Sequence, residues 1–325
     1  MRIFSGIQPT GAIHIGNYLG ALKQWIDLQK KNECVFCIVD LHATTAPYKP
    51  KKLQELILEK AIAYIAAGID PENSIIFVQS EVKEHTELAW FLNTITPVGE
   101  LTRMIQYKEK SKKFAKDLNA GILNYPILMA ADILLYKTEL VPVGEDQRQH
   151  VELARTVARK FNQKFGDTFK IPKTSLPETG AKIMSLQNPF KKMSKSDSEG
   201  SYISLFDEPE KIKEKISKAV TDTGKVIKYN PEKKPGISNL LIIYSLFANL
   251  PVKDVEKKFK NKGYSYLKKY LTELLIQKLE IFRRKRKELL QREVYVQEIL
   301  KKGAGRAETI AQSTMQDVRK KMGLI

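Results

Sequence analysis

Cysteine is scarce in this chain: two residues in 325, Cys34 and Cys37. One pair cannot build a disulfide framework, and no second pair exists to complete a four-thiol zinc site. The Cys-x-x-Cys spacing taken alone suits redox or zinc chemistry. Here it lies in Cys34-Val35-Phe36-Cys37-Ile38-Val39-Asp40, an apolar run that reads as a buried strand. Reduced thiols in a cytoplasmic protein are therefore expected. No apolar run approaches the roughly 20 residues of a membrane span, so no membrane partner is expected. The N-terminus lacks the charged-then-apolar pattern of an export signal. Internal repeats, low-complexity linkers and a Ser-His-Asp arrangement are also missing. Acidic residues are in deficit, 37 against 55 Lys and Arg, for a net charge of +18. The deficit is uneven. Residues 201–325 carry 28 basic and 15 acidic residues, whereas the first 200 carry 27 and 22. A basic face suits a polyanion through steering and counterion release.

The length suits one large domain and a smaller one. The first part alternates strand and helix. Arg2–Ile7 reads as a strand, and Cys34–Val39 as another. Lys51–Ala67 has helical spacing and stops at Gly68. Ile75–Gln79 reads as a strand, Glu84–Thr96 as a helix, Leu140–Val143 as a strand and Gln147–Phe161 as a helix. Repeated βα units imply a parallel sheet with helices on both faces, with ligands at the carboxyl ends of its strands. From about Asp207 no strand recurs. Lys211–Val220, Asn239–Ala248, Val252–Phe259, Tyr266–Glu288, Val294–Lys301 and Ala307–Met322 read as helices. The run Arg283-Arg284-Lys285-Arg286-Lys287 fits a solvated helix face as well as it fits RNA contact.

Two motifs carry chemistry. The first is Gln8-Pro9-Thr10-Gly11 followed by Ala12-Ile13-His14-Ile15-Gly16-Asn17, a glycine turn between a strand and a helix start. Such a start offers unpaired N–H groups and the positive end of a helix dipole to an anion. Gly16 lets backbone come close to a ligand, and His14 and Asn17 can reach the same ligand. The second is Lys192-Met193-Ser194-Lys195-Ser196, entered through Asn188-Pro189 and left through Asp197-Ser198-Glu199-Gly200, flanks that read as loop. Its lysines can close over a phosphate chain as point charges; a solvated basic loop is the plainer alternative. A third feature is Asp132, a lone carboxylate within apolar Met129-Ala130-Ala131-Asp132-Ile133-Leu134-Leu135-Tyr136, where burial would demand a partner.

Together the motifs resemble the signature pair of class I aminoacyl-tRNA synthetases, with Asn17 in place of the second histidine of the first element. Phe4-Ser5-Gly6-Ile7-Gln8-Pro9-Thr10-Gly11, Val141-Pro142-Val143-Gly144-Glu145-Asp146-Gln147 and Lys234-Pro235-Gly236-Ile237-Ser238-Asn239-Leu240 extend the likeness, in detail to the bacterial tryptophanyl-tRNA synthetases, over nearly the whole chain. The resemblance implies a Rossmann-like doubly wound parallel sheet with a smaller α-helical domain. It implies a catalytic domain over 1–200, a helical anticodon-binding domain over 201–305, and a C-terminal helix, 306–325, that could pack back on the first. It implies ATP-dependent charging of tRNA(Trp) with L-tryptophan through an adenylate, in a homodimer. Mg²⁺ would accompany ATP, held by phosphates and water rather than by a protein cage.

Residue by residue, the resemblance assigns ATP contacts to Gln8, Pro9, Thr10, Gly16 and Asn17. His14 and Asn17 would donate to phosphate oxygens. Lys192 and Lys195 would neutralise the leaving pyrophosphate, with Met193, Ser194 and Ser196 on the same loop. Lys110, in a lysine-dense segment, is a third candidate for the phosphates. Gly144, Glu145 and Asp146 would hold the adenosine, and Ile183 would touch adenine. Asp132 would face the indole N–H, with Phe4, Gly6, Val39, Met129, Val141 and Val143 as walls. Tyr125 and Gln147 would bind the ammonium. A tyrosine enzyme of the same fold is the nearest rival, though such chains usually carry an extra RNA-binding tail. A silent paralogue that only binds RNA or nucleotide is the rival from another class; intact Lys192 and Lys195 argue against it.

Overall fold

The computed structural model describes residues 1–113, 118–144, 147–175, 182–195, 197–224 and 226–325. Glu145, Asp146 and Ser196 lie outside the described residues. Five strands, β1 (Arg2–Ile7), β2 (Glu33–Ile38), β3 (Ser74–Val78), β4 (Leu140–Pro142) and β5 (Lys173–Ser175), form one sheet in the order β3-β2-β1-β4-β5. Every pairing is parallel, with Phe4 opposite Val35 and Cys37 opposite Phe77. The fold is the doubly wound α/β arrangement. Strand order turns between β1 and β4, so the crevice outside their carboxyl ends is where such a sheet receives a ligand. β5 has no counterpart among the strands read from sequence, since Lys173-Thr174-Ser175 is short and polar.

The helices are α1 (Ile15–Asn17), α2 (Lys23–Leu28), α3 (Asp40–Ala43), α4 (Pro50–Ala67), α5 (Glu84–Asn93), α6 (Val98–Thr102), α7 (Ile105–Lys113), α8 (Ala120–Leu135) and α9 (Arg148–Phe165). They continue with α10 (Pro209–Ser217), α11 (Pro235–Ala248), α12 (Val252–Lys258), α13 (Tyr264–Leu290) and α14 (Glu293–Met322). Contacts divide the chain into two compact units. Unit 1 is Met1–Thr10, Gln24–Pro177 and Arg292–Ile325; unit 2 is Gly11–Lys23 and Glu178–Gln291. These limits differ from the sequence-based limits at 200 and 305. The first motif itself is divided, Gln8–Thr10 belonging to unit 1 and Gly11–Asn17 to unit 2.

Unit 1 is built on the sheet. β2 is apolar from Cys34 to Ile38 and β3 from Ile75 to Val78, as strands covered on both faces require. Trp25 stacks on Phe36 with ring centroids 5.1 Å apart, and Tyr64 of α4 meets Trp25 edge-on at 5.8 Å. On the other face Phe4, Val35, Cys37, Ile75 and Phe77 join a core supplied by α5, α8, α9 and α14. Burial pushes the Cys34 thiol up to about 11 and raises the Cys37 thiol as well, so both are inert strand residues. α14 is one helix of 30 residues, where the sequence reading broke it near Gly303 and Gly305. Gly303 is not a break. A Cβ there would collide with the carbonyl of Ile76 on β3, so the glycine is where helix and strand backbone meet.

Unit 2 is helical. Leu267, Leu271, Leu275 and Leu279 form a buried stripe four residues apart along α13, the spacing of one helix face. α10 and α11 pack on that helix. α11 begins at Pro235, earlier than the Asn239 start read from sequence, because Pro235 takes the first helical turn, where its missing N–H costs nothing. Among the described residues no single helix is long and apolar enough to cross a membrane.

Candidate active site

In unit 1 the strand ends bring the predicted amino-acid residues to one region. β1 runs out into Gln8, Pro9 and Thr10; β2 into Val39 and Asp40; β4 into Val143 and Gly144. Ser5 Oγ of β1 donates to the carbonyl of Pro142 at 3.3 Å, tying the strands at the turn in order. Gly6 is exposed, and a Cβ there would stand 2.8 Å from Val39 Cγ1. Phe4 and Val141 are core residues, whereas Met129 and Val143 are only partly buried against that core.

Asp132 is fully buried on α8, and three donors surround it. His42 Nε2 stands 2.8 Å from Oδ2. Gln79 Nε2 donates to Oδ1 at 2.7 Å, and His85 Nδ1 lies 2.6 Å from the same oxygen. Burial opposes the charged form, yet hydrogen bonds from His42 and His85 hold this carboxyl well below the usual carboxylate range. The sequence reading named no partner inside the protein for it. His42, Gln79 and His85 lie 90, 53 and 47 residues away along the chain. His42 lies just beyond the Cys34–Val39 run and Gln79 ends the Ile75–Gln79 run, so both stand at strand ends legible in the sequence; His85 carries no local signal.

Tyr125, about two helical turns before Asp132 on α8, is a second hub. Its hydroxyl donates to Gln106 Oε1 at 3.2 Å and lies 3.1 Å from His150 Nε2. Lys110 of α7 places its ammonium 3.8 Å from the Tyr125 ring centroid, a cation–π contact. Burial lowers the Lys110 pKa below the ordinary lysine value. Gln147 occupies the position just before α9, its N–H donating to Gly144 O at 3.0 Å.

Unit 2 assembles the other group. Ile13–Ile15 pair with Ile203–Leu205: Ile15 N donates to Ile203 O at 2.9 Å and Leu205 N to Ile13 O at 2.8 Å. His14 and Asn17 cap one another, Asn17 N donating to His14 Nδ1 and His14 N to Asn17 Oδ1, each at 3.2 Å. Because Nδ1 accepts, the proton of a neutral His14 sits on Nε2, and Asn17 keeps its amide N–H donors outside the cap. A Cβ on Gly16 would stand 3.6 Å from Ile183 Cβ, so the turn and the predicted adenine contact adjoin.

The lysine loop rises from a short stem. Met193 N donates to Ile183 O at 2.9 Å and Ser185 N to Lys191 O at 2.8 Å. Asn239 of α11 clamps that stem, accepting from Met184 N and donating to Met184 O, both at 2.9 Å. This role for Asn239 was missed, although its motif was noticed. Lys192 and Lys195 differ. Lys192 is exposed, whereas Lys195 lies along Gly11. Gly11 has φ +76°, and a Cβ there would fall within the Lys195 side chain, 3.0 Å from Nζ. Burial lowers the Lys195 pKa.

A family model described as tRNA synthetases class I (W and Y) matches residues 1–280. The chain belongs to this family. The tryptophan–tRNA ligase of Caldanaerobacter subterraneus subsp. tengcongensis is 53% identical over 325 residues, covering 100% of this chain and 98% of that protein. The crystal structure of Mycoplasma pneumoniae tryptophanyl-tRNA synthetase superposes with a TM-score of 0.88 at 33% identity, over 99% of this chain and 97% of that one. The Campylobacter jejuni tryptophanyl-tRNA synthetase, complexed with ADP and tryptophan, gives 0.86 at 39% identity, over 99% and 100%. The family match spans both motifs, and the superpositions cover the sheet and the helical unit.

Proposed function

We propose that the chain charges tRNA(Trp) with L-tryptophan in two steps. The tryptophan carboxylate attacks the α-phosphate of ATP, giving tryptophanyl-adenylate and releasing pyrophosphate. A ribose hydroxyl at the tRNA 3′ end then takes the aminoacyl group, and AMP leaves. The first step asks the protein for positioning and charge neutralisation rather than a covalent intermediate. Lys195 and Lys192 balance the charge that builds on pyrophosphate. His14 Nε2–H and the Asn17 amide donate to phosphate oxygens, and Lys110 is a third cation for them. Gln8, Pro9, Thr10, Gly16, Gly144 and Ile183 line the nucleotide, with Met193 and Ser194 on the closing loop. Glu145, Asp146 and Ser196 keep the adenosine and loop roles that the resemblance implies. Mg²⁺ arrives with ATP; among the described residues no group of three His, Cys, Asp or Glu could hold a metal.

The observation that carries the choice of amino acid is Asp132, a buried and ionised acceptor on α8. The indole N–H is a donor with no acceptor capacity. A site built around that pairing rejects a side chain lacking the donor, because one acceptor position of the buried carboxylate is then left unfilled. Tyr125 and Gln147 take the ammonium, and Gly6, Met129 and Val143 border the ring, with Phe4, Val39 and Val141 behind them. The enzyme is read as a cytoplasmic homodimer; Trp90 on α5 is 68% exposed and Val98 on α6 63%, which suits burial against a second copy.

Amino-acid-dependent exchange of pyrophosphate into ATP tests the reading. Exchange is expected with tryptophan and at most weakly with tyrosine or phenylalanine. Exchange driven by tyrosine would mark the sister specificity, and none with any amino acid would mark a silent paralogue.

A further inference from the structure

We infer that His85 is a positioning residue for amino-acid selection, holding the Asp132 carboxylate so that a single acceptor position is left for the substrate. The inference rests on the reading of Asp132 as the indole acceptor. An ionised carboxylate offers about four lone-pair sites. Gln79 and His85 occupy two on Oδ1, and His42 occupies one on Oδ2. Among the described residues one site on Oδ2 remains, matching a ligand that brings one donor.

His85 is itself fixed. Its Nε2 lies 2.8 Å from the Tyr136 hydroxyl. Tyr136 is a buried phenol whose pKa is raised by burial and by nearby negative groups, so it keeps its proton. With Tyr136 donating to Nε2, neutral His85 carries its own proton on Nδ1 and donates it to Asp132. Phe77 stacks on the His85 ring at 5.8 Å, and Phe4 stacks on Tyr136 at 5.6 Å with an 8° interplanar angle. The ring therefore has one orientation and one tautomer. Without its donor, Oδ1 keeps only Gln79, and the carboxylate is free to turn or to take a proton. Either change removes the cost of leaving the second Oδ2 site unfilled, and that cost is what rejects a ligand lacking an N–H.

The test compares affinities for tryptophan and for β-(3-benzothienyl)alanine, which has sulfur in place of the indole N–H. Both are measured by calorimetry on wild type, His85→Leu, His85→Asn, Tyr136→Phe and Asp132→Asn. Wild type is expected to prefer tryptophan. In His85→Leu the preference should fall by about tenfold, the share of one hydrogen bond to a charged group. His85→Asn, whose amide nitrogen takes the place of Nδ1, should keep most of it. Tyr136→Phe releases the tautomer and should lower it. Equal weakening of both ligands in His85→Leu, with the ratio unchanged, overturns the inference and leaves His85 a packing residue. Should His85→Leu not fold, an unchanged ratio in Tyr136→Phe has the same force. A ratio that collapses in Asp132→Asn but survives His85→Leu defeats this inference alone. A ratio untouched by Asp132→Asn defeats the underlying reading as well.

Discussion

Lys195 shows how one side chain is prepared for its task. It lies along Gly11, a position whose φ of +76° favours glycine and whose missing Cβ makes room for it. Burial disfavours the ammonium form and lowers its pKa from 10.5. The cation is the form that neutralises pyrophosphate, so activity should fall as pH rises through that lowered value. The alkaline limb of kcat/KM for ATP, which reports groups of the free enzyme, should therefore begin below 10.5. Lys195→Arg should move the limb upward, since guanidinium keeps its proton. Lys195→Ala should slow adenylate formation by about 10²-fold or more while tryptophan affinity stays nearly intact, the pattern of an interaction made in the transition state. Stopped-flow measurement of adenylate formation reads the first effect and calorimetry the second. Loss of tryptophan binding would instead assign Lys195 to the structure of the pocket.

Elements were legible where their signal is local. The β1 turn at Gln8–Asn17, the lysine loop and the helix stop at Gly68 each announce themselves within a dozen residues. What escaped reading depends on partners distant in sequence. β5 is a strand because β4 pairs with it, Leu140 opposite Lys173, and nothing in Lys173-Thr174-Ser175 says so. Asp132 was legible as a carboxylate in apolar company, but its partners come from α3, α5 and the end of β3. α14 was broken in the sequence reading because glycine usually weakens a helix. Its two glycines are in fact unlike. At Gly303 a Cβ meets the Ile76 carbonyl, whereas at Gly305 nothing lies within 4 Å. The same substitution should act with opposite sign. Gly303→Ala is expected to destabilise by about 1–3 kcal/mol through overpacking. Gly305→Ala should stabilise by about 0.5–1 kcal/mol, through lower chain entropy in the unfolded state. Urea midpoints of the two variants decide it, and a loss at both positions would mean that Gly305 also faces a close neighbour.

At the scale of the whole molecule, the net charge of +18 divides into local roles. The run Arg283–Lys287 is not uniformly available to a polyanion. Arg283 donates to the carbonyls of Asp207 and Ile276 at 3.3 and 2.8 Å, and Arg286 stands over the Phe206 ring at 5.4 Å. These two brace α13 against the segment 203–207, whose residues 203–205 pair with Ile13–Ile15. Arg284, Lys285 and Lys287 are exposed. If tRNA phosphates meet this helix, the exposed three carry the contact. Arg284→Glu or Lys285→Glu should then weaken tRNA binding and lower the slope of log affinity against log salt by roughly one per lost phosphate contact. Tryptophan-dependent pyrophosphate exchange, which uses no tRNA, should stay unchanged in both. Arg283→Ala should behave differently, altering exchange as well, because its loss loosens the segment paired with the signature turn. Filter binding of tRNA at several salt concentrations, run beside the exchange assay, separates the two sets. An unaltered salt slope in the exposed-residue variants would make the run a solvated helix face and move the RNA contact elsewhere on the basic surface.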